Sequence, residues 1–239
     1  MKILPLQSAF DVLQSINTHT TSMFPIDKFQ DKRTPFYYYD TQLLRQTLQT
    51  IKEESGKYDN YHVHYAVKAN ANPKVLRIIS QYGLGADCVS GGEINAAIEA
   101  GFPASSIVYA GVGKSDWEIK LGLEKEIACF NVESTEELEI INQLAIECGK
   151  TARVAFRINP NVGAHTHANI TTGLAENKFG IAMKDMETVI ERANTMPNIK
   201  VVGLHFHIGS QILDMGDFKA LCNRINELQQ QLESHHIKI

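Results

Sequence analysis

The chain has 239 residues, 44% of them hydrophobic and 21% charged, with a formal net charge of -4. This is the composition of an ordinary globular protein with enough chain to bury a core in one large domain or two small ones. It excludes the basic surface expected of a nucleic-acid binder, and its longest apolar runs are too short to span a bilayer.

The opening MKILPLQSAFDVLQ carries a lone lysine and no unbroken apolar stretch. No secretory signal is read there, and a cytoplasmic location is expected. Cys88, Cys129, Cys148 and Cys222 are scattered without a C-x-x-C spacing, which fits free thiols in a reducing compartment. Residues 1–33 read as a leader, and TPFYYYD (34–40) as a separate strand.

From about residue 42 short apolar strands alternate with amphipathic helices. Strands are predicted over 62–68, 85–89, 107–111, 127–132, 153–159 and 201–208, and HIKI (236–239) reads as the start of another. The helices carry their own punctuation. NPKVLRIISQYG stops at Gly83 and GGEINAAIEAG at Gly101. SDWEIKLGLEK opens with Ser115 and Glu118 in capping-box spacing, and STEELEIINQLAIECG with Ser134 and Glu137. DMETVIERA follows. DFKALCNRINELQQQLES then lines up Phe218, Leu221, Cys222, Ile225, Leu228 and Leu232 as a core-facing stripe.

Strict alternation predicts an α/β fold with parallel strands and crossover helices, either a (β/α)8 barrel or a doubly wound sheet. Lys68, Asp87, Asn131, Arg157, His207 and then Ser210 stand near the C-terminal ends of successive strands. A barrel gathers such ends on one rim, whereas a doubly wound sheet concentrates them at a switch point. The barrel is therefore expected, but one that stops after about six strands, short of the usual eight.

Three segments carry candidate chemistry. In YHVHYAVKANANP (61–73), alternation puts His62, His64, Ala66 and Lys68 on one face. A lysine on a partly buried rim near other cations is pushed toward the neutral amine that attacks carbonyls; the plain alternative is a lysine reaching to solvent. In GLHFHIGSQ (203–211), His205 and His207 share a face. The following Gly209-Ser210-Gln211 turn offers N–H groups and a hydroxyl to an anion such as phosphate, and the His207 ring can stack on a flat ligand. The polar stretch from Arg157 to Gly180 is long for a loop and falls on the side of the expected rim. Ser90-Gly91-Gly92 reads as a helix cap, with anion binding as the alternative. The His-x-His pairs 62/64, 165/167 and 205/207 also admit a zinc reading, without a carboxylate that stands out as their shared partner.

YAVKAN, GADCVSGGE, RINPN…H…TTG…NKFG and GLHFHIGSQ occur in this order. Together they resemble the fold-type III pyridoxal-phosphate decarboxylases, and among these the diaminopimelate decarboxylase group. The resemblance implies an alanine racemase-like (β/α)8 barrel and pyridoxal 5'-phosphate as cofactor. It implies that Lys68 is the catalytic lysine in Schiff-base linkage to the cofactor, that His207 stacks on the pyridine ring and that Ser210 helps to hold the phosphate. Asp87 and Arg157 match polar positions near the cofactor. The implied reaction converts meso-2,6-diaminopimelate to L-lysine and CO2. Ornithine- and arginine-type relatives usually keep only the KFG part of the TTG…NKFG segment.

Family members continue with a Gly-rich phosphate loop, an acidic partner for the pyridine nitrogen and a C-terminal β-domain, and part of the site comes from the other subunit of a homodimer. Residues 1–40 are thus expected to be a leader and one strand of a missing β-domain, and 41–239 an incomplete cofactor-binding barrel, inactive alone. The rival readings are a single-domain pyridoxal-phosphate homeostasis protein, an ornithine- or arginine-type decarboxylase, a metal-dependent barrel hydrolase, and an inactive partner of a full-length enzyme.

Overall fold

The computed structural model describes residues 25–160, 179–210, 212–237 and 239. The chain divides into two compact units, Met1–Leu43 and Leu44–Ile239. In the first, a 3-10 turn at Ile26–Phe29 places the Phe29 ring 5.2 Å from both Phe36 and Tyr38. Residues 34–40 enter no ladder among the described residues, so the strand expected there is not formed among them. Helix α1, Thr41–Ser55, follows, with Asp40 accepting from the N–H groups of Gln42 and Leu43 at its start.

The second unit is built on six parallel strands: β1 His64–Ala66, β2 Gly85–Cys88, β3 Ile107–Tyr109, β4 Cys129–Val132, β5 Ala152–Arg157 and β6 Ile199–His205. Each pairs with the next in chain order, from β1 to β6. A doubly wound sheet reverses its order at a switch point; this one never does. It is the six-strand arc of a (β/α)8-type barrel, with crossover helices α2 Pro73–Ser80, α3 Gly91–Glu99, α4 Asp116–Lys125, α5 Thr135–Cys148 and α6 Met186–Asn194, and α7 Met215–Ser234 following β6.

Every residue of β4 is buried, whereas β1 and most of β6 are only half-buried. Burial falls toward the two ends of the arc because a terminal strand has a neighbour on one side only. The strands are shorter than expected for a related reason: alternation extends past the residues that find a ladder partner. β1 stops at Ala66, and Val67–Ala69 wind into a 3-10 turn.

Two expectations at the C-terminal end need correction. Of the α7 stripe, Leu228 and Leu232 are buried, but Phe218 and Cys222 are exposed and Ile225 is half-buried. The helix lies beside the last strand of the arc, and an apolar groove of about 680 Å³ runs between Leu204, Phe206, Ile225, Leu232, Ile237 and Ile239. HIKI starts no strand among its described residues. His236 turns left-handed at φ 58, its N–H bonds Glu233 O at 3.1 Å, and the Ile237 N–H bonds Leu232 O at 2.9 Å. This is a Schellman ending, so the N–H that a ladder would need is already taken by α7.

Candidate functional site

Lys68 leaves the sheet in a turn pinned from both sides. Val67 is fully buried, and Tyr65 Oη donates to Asn70 O at 3.2 Å. Asn72 then caps α2 by accepting from the Lys74 N–H at 2.9 Å. The lysine is exposed rather than partly buried, because it sits in the turn and not on the strand. His62 and His64 do not accompany it. His62 is exposed, and the His64 ring packs over Gly85, where a β-carbon would come within 2.4 Å of it.

A cavity of about 260 Å³ opens beside Lys68 at the C-terminal ends of the strands. It is lined by Lys68, Asp87, Val89, Ala110, Gly111, Arg157, Phe179, His205 and His207. Of the five residues that the resemblance places at the cofactor, Lys68, Asp87, Arg157 and His207 therefore meet there. The fifth, Ser210, is exposed beyond Gly209 and lies outside the lining. Most of the stretch between Arg157 and Gly180, and Gln211, lie outside the described residues. So do His165 and His167; among the described residues no group of three His, Cys, Asp or Glu side chains is arranged to hold a metal.

The charges around the cavity are set by burial and by one cationic cluster. Burial raises the Asp87 carboxyl above its usual range against the opposing pull of Lys68, and Glu93 raises it further. Burial lowers His205 to about 4, and Arg157, His207 and Lys114 add to the effect. His207 is lowered by burial, then by Arg157 and Lys68. Both rings are thus neutral at pH 7. Among the described residues, Asp87 Oδ1 and His205 Nδ1 are buried without a hydrogen-bond partner.

Arg157 is held from several directions. Its Nη1 donates to both carboxylate oxygens of Glu133 at 2.9 Å, and Phe179 lies 5.6 Å from the guanidinium carbon. Glu133 Oε1 also accepts from the Gly111 N–H at 3.1 Å. The Glu133 N–H in turn donates to Glu137 Oε2 at 2.8 Å, and Glu137 Oε1 accepts from Lys114 Nζ at 2.6 Å. Lys114 completes its three bonds on Gly111 O and Asn131 O. The box expected at Ser134 and Glu137 is therefore half-formed: Ser134 Oγ accepts from the Glu137 N–H, but the Glu137 carboxylate serves the site.

Glu133, Lys114 and Phe179 carry no role in the sequence reading. Glu133 follows the last residue of β4, and that position was the available signal. Ser90, with two readings open, caps α3 through the Glu93 N–H.

The sequence is 70% identical over 217 residues to the diaminopimelate decarboxylase of Bacteroides thetaiotaomicron, covering 91% of this chain and 56% of that one. It is 39% identical to that of Aquifex aeolicus, covering 83% and 47%. The fold matches the crystal structure of Helicobacter pylori diaminopimelate decarboxylase complexed with L-lysine at a TM-score of 0.82 and 38% identity, covering 89% of this chain and 54% of that one. It matches the M. jannaschii enzyme in co-complex with L-lysine at 0.78 and 38%, covering 90% and 51%. The chain spans about half the length of the curated relatives it matches. The family model described as pyridoxal-dependent decarboxylase, pyridoxal binding domain, matches residues 42–239, and the chain belongs to that family.

Proposed function

We propose that this domain binds pyridoxal phosphate through Lys68, and that it serves a diaminopimelate decarboxylase converting meso-2,6-diaminopimelate to L-lysine and CO2. The observation that carries the reading is the meeting of Lys68, Asp87, Arg157 and His207 around one cavity, in a chain 70% identical to a diaminopimelate decarboxylase. Two relatives were solved with L-lysine, which is the proposed product.

The lining suits a flat, polar-substituted aldehyde. Lys68 supplies the amine, the histidines supply ring faces, and Asp87 Oδ1 and His205 Nδ1, which have no hydrogen-bond partner among the described residues, can meet polar groups of a ligand. When bound, the cofactor supplies an electron sink for the charge left by departing CO2. The chain's own residues do the rest. Lys68 would hold the cofactor through its side-chain amine, the one nucleophilic amine in the lining. His207, uncharged, offers its ring for stacking. Arg157, beside Phe179, presents N–H donors to an oxyanion. Asp87, its carboxyl raised, can hold a proton beside the lysine. The Ser210 hydroxyl is the group we assign to the phosphate.

No helix among the described residues is long and apolar enough to cross a membrane. We place the enzyme in the cytoplasm, where amino-acid biosynthesis runs, as a homodimer. The test is chemical trapping: mix the chain with pyridoxal phosphate, reduce with borohydride, digest, and locate the adduct by mass spectrometry. Modification concentrated at Lys68 is expected. Labelling spread evenly over the lysines of a folded chain would refute the assignment.

A further inference from the structure

We propose that Glu133 is a positioning residue. Backed by Glu137 and Lys114, it orients the Arg157 guanidinium so that Nε and Nη2 are presented to an anionic group of the ligand in the Lys68 cavity. The inference rests on the cofactor reading for the ligand, but not for the placement of the arginine.

The geometry points one way. Among the described residues the Arg157 side chain bonds only through Nη1, and both of those bonds go to Glu133. A guanidinium carries five N–H donors, so Nε and Nη2 keep three for a ligand. Glu133 cannot swing to follow another partner. Its Oε1 is also tied to the Gly111 N–H, and its own N–H to Glu137. Glu137 is fixed in turn by Lys114, whose side chain is 1% exposed and whose bonds to Gly111 O and Asn131 O tie the loop after β3 to strand β4. The three anchor points thus come from the ends of three successive strands, β3, β4 and β5. Side chains fixed by neighbours in this way hold a binding group in place without ordering it anew for each ligand.

A merely structural ion pair predicts general loosening when it is broken. A positioning role predicts a change centred on Arg157. Phenylglyoxal modification read by mass spectrometry separates the two, with circular dichroism to confirm folding. In the native chain Arg157 should be among the slowest arginines to react. In Glu133→Gln it should react about tenfold faster, the scale set by losing a charge-assisted hydrogen bond, while Arg45, Arg77 and Arg192 keep their rates. Glu139→Gln, which removes the surface partner of Arg192, should leave Arg157 unchanged. If Glu133→Gln does not fold, Glu133→Asp keeps the charge on a shorter side chain and carries the same expectation. An unchanged Arg157 rate in either folded variant overturns the proposal. With pyridoxal phosphate added, the pH midpoint of its visible band should move in Glu133→Gln and not in Glu139→Gln; an unmoved band overturns the link to the ligand. If native Lys68 captures no cofactor, the cofactor reading falls, and the arginine rates still decide the role of Glu133.

Discussion

Gly180 lies against Arg157: a β-carbon at 180 would stand 2.9 Å from the Arg157 carbonyl oxygen and 3.2 Å from its Cγ. The backbone there is left-handed, with φ +85, and the next N–H, of Ile181, donates to that same carbonyl at 2.8 Å. The returning chain is thus clipped to the end of β5 at a point where both conformation and space demand glycine. Gly180→Ala is predicted to cost about 2–3 kcal/mol, from the strained backbone and the forced shift together. Urea denaturation measures this, and a loss below about 0.5 kcal/mol, the scale of an ordinary surface substitution, would show that the clip relaxes freely.

Lys68→Ala separates chemistry from stability. The side chain is exposed and forms no ion pair among the described residues. Its removal should change stability by no more than about 0.5 kcal/mol. The borohydride-stable adduct at this position should vanish. Lys68→Arg should behave the same way, because a guanidinium keeps the charge but does not supply the nucleophilic amine. A full adduct yield in either variant would move the site to another lysine.

The helices were legible because each advertises its ends. The Ser115 N–H does bond Glu118 at 3.0 Å, and Gly149 does end α5 in the left-handed region at φ 62. The strand order was legible from alternation, but the strand limits were not, since pairing depends on a neighbour that a local pattern does not contain. HIKI shows why: Ile237 and Ile239 line the same groove as Leu204 and Phe206, yet α7 carbonyls take the N–H groups of His236 and Ile237. That Lys68, Asp87, Arg157 and His207 line one cavity follows from their places at strand ends. Glu133 stands one residue before a Ser-x-x-Glu helix start, and no local pattern marks Lys114. Its burial depends on acceptors that the fold brings from Gly111, Asn131 and Glu137.

Glu118 joins two loops on the same rim. Its Oε1 accepts from the Gly91 N–H at 2.7 Å, and its Oε2 from the N–H and hydroxyl of Ser115 at 3.0 and 2.7 Å. Burial acts to raise its pKa, but these donors and the Tyr109 hydroxyl prevail and pull it to about 2. A folded-state value below the unfolded one stabilises above the unfolded pKa, so this contribution should fade as pH falls from about 4.5 toward 2. Glu118→Gln is predicted to cost about 1–3 kcal/mol at pH 7, since one acceptor becomes a donor facing donors. The gap from the native chain should narrow below pH 4.5; a gap that stays constant to pH 3 would rule out the carboxylate as its source.

Asp87 works in the opposite sense. Its carboxyl titrates higher in the folded chain than in the unfolded one, so deprotonation on folding is opposed and stability is lost as pH rises from the ordinary carboxylate value of 3.8 through the raised folded value. Asp87→Asn removes that cost and should stabilise the chain at pH 7 while weakening cofactor capture at Lys68. Equilibrium unfolding and adduct yield, measured on one preparation, check both halves. A variant less stable than the native chain at pH 7 would mean that the carboxylate has a favourable partner.

His205 sets the acid limit of the same cavity. Unfolded, its ring takes up a proton near its ordinary 6.5; folded, burial and the cations of Arg157 and Lys114 hold it neutral down to about 4. Between those values the unfolded chain binds more protons than the folded one, so stability falls as pH falls. The difference amounts to about 2 kcal/mol by pH 5 and about 3 kcal/mol once both states are protonated. The ring cannot escape by pairing, because the charged groups acting on it, Arg157 and Lys114, are positive, as its neighbour His207 becomes on protonation. His205→Asn keeps a polar side chain without titration. It should be less stable than the native chain at pH 7 through lost packing, yet lose much less between pH 6.5 and 5. Urea unfolding of both chains at pH 7, 6 and 5 gives the comparison. Converging stabilities place the acid sensitivity at His205, whereas parallel lines would mean that the buried ring is protonated in the folded chain as easily as in the unfolded one.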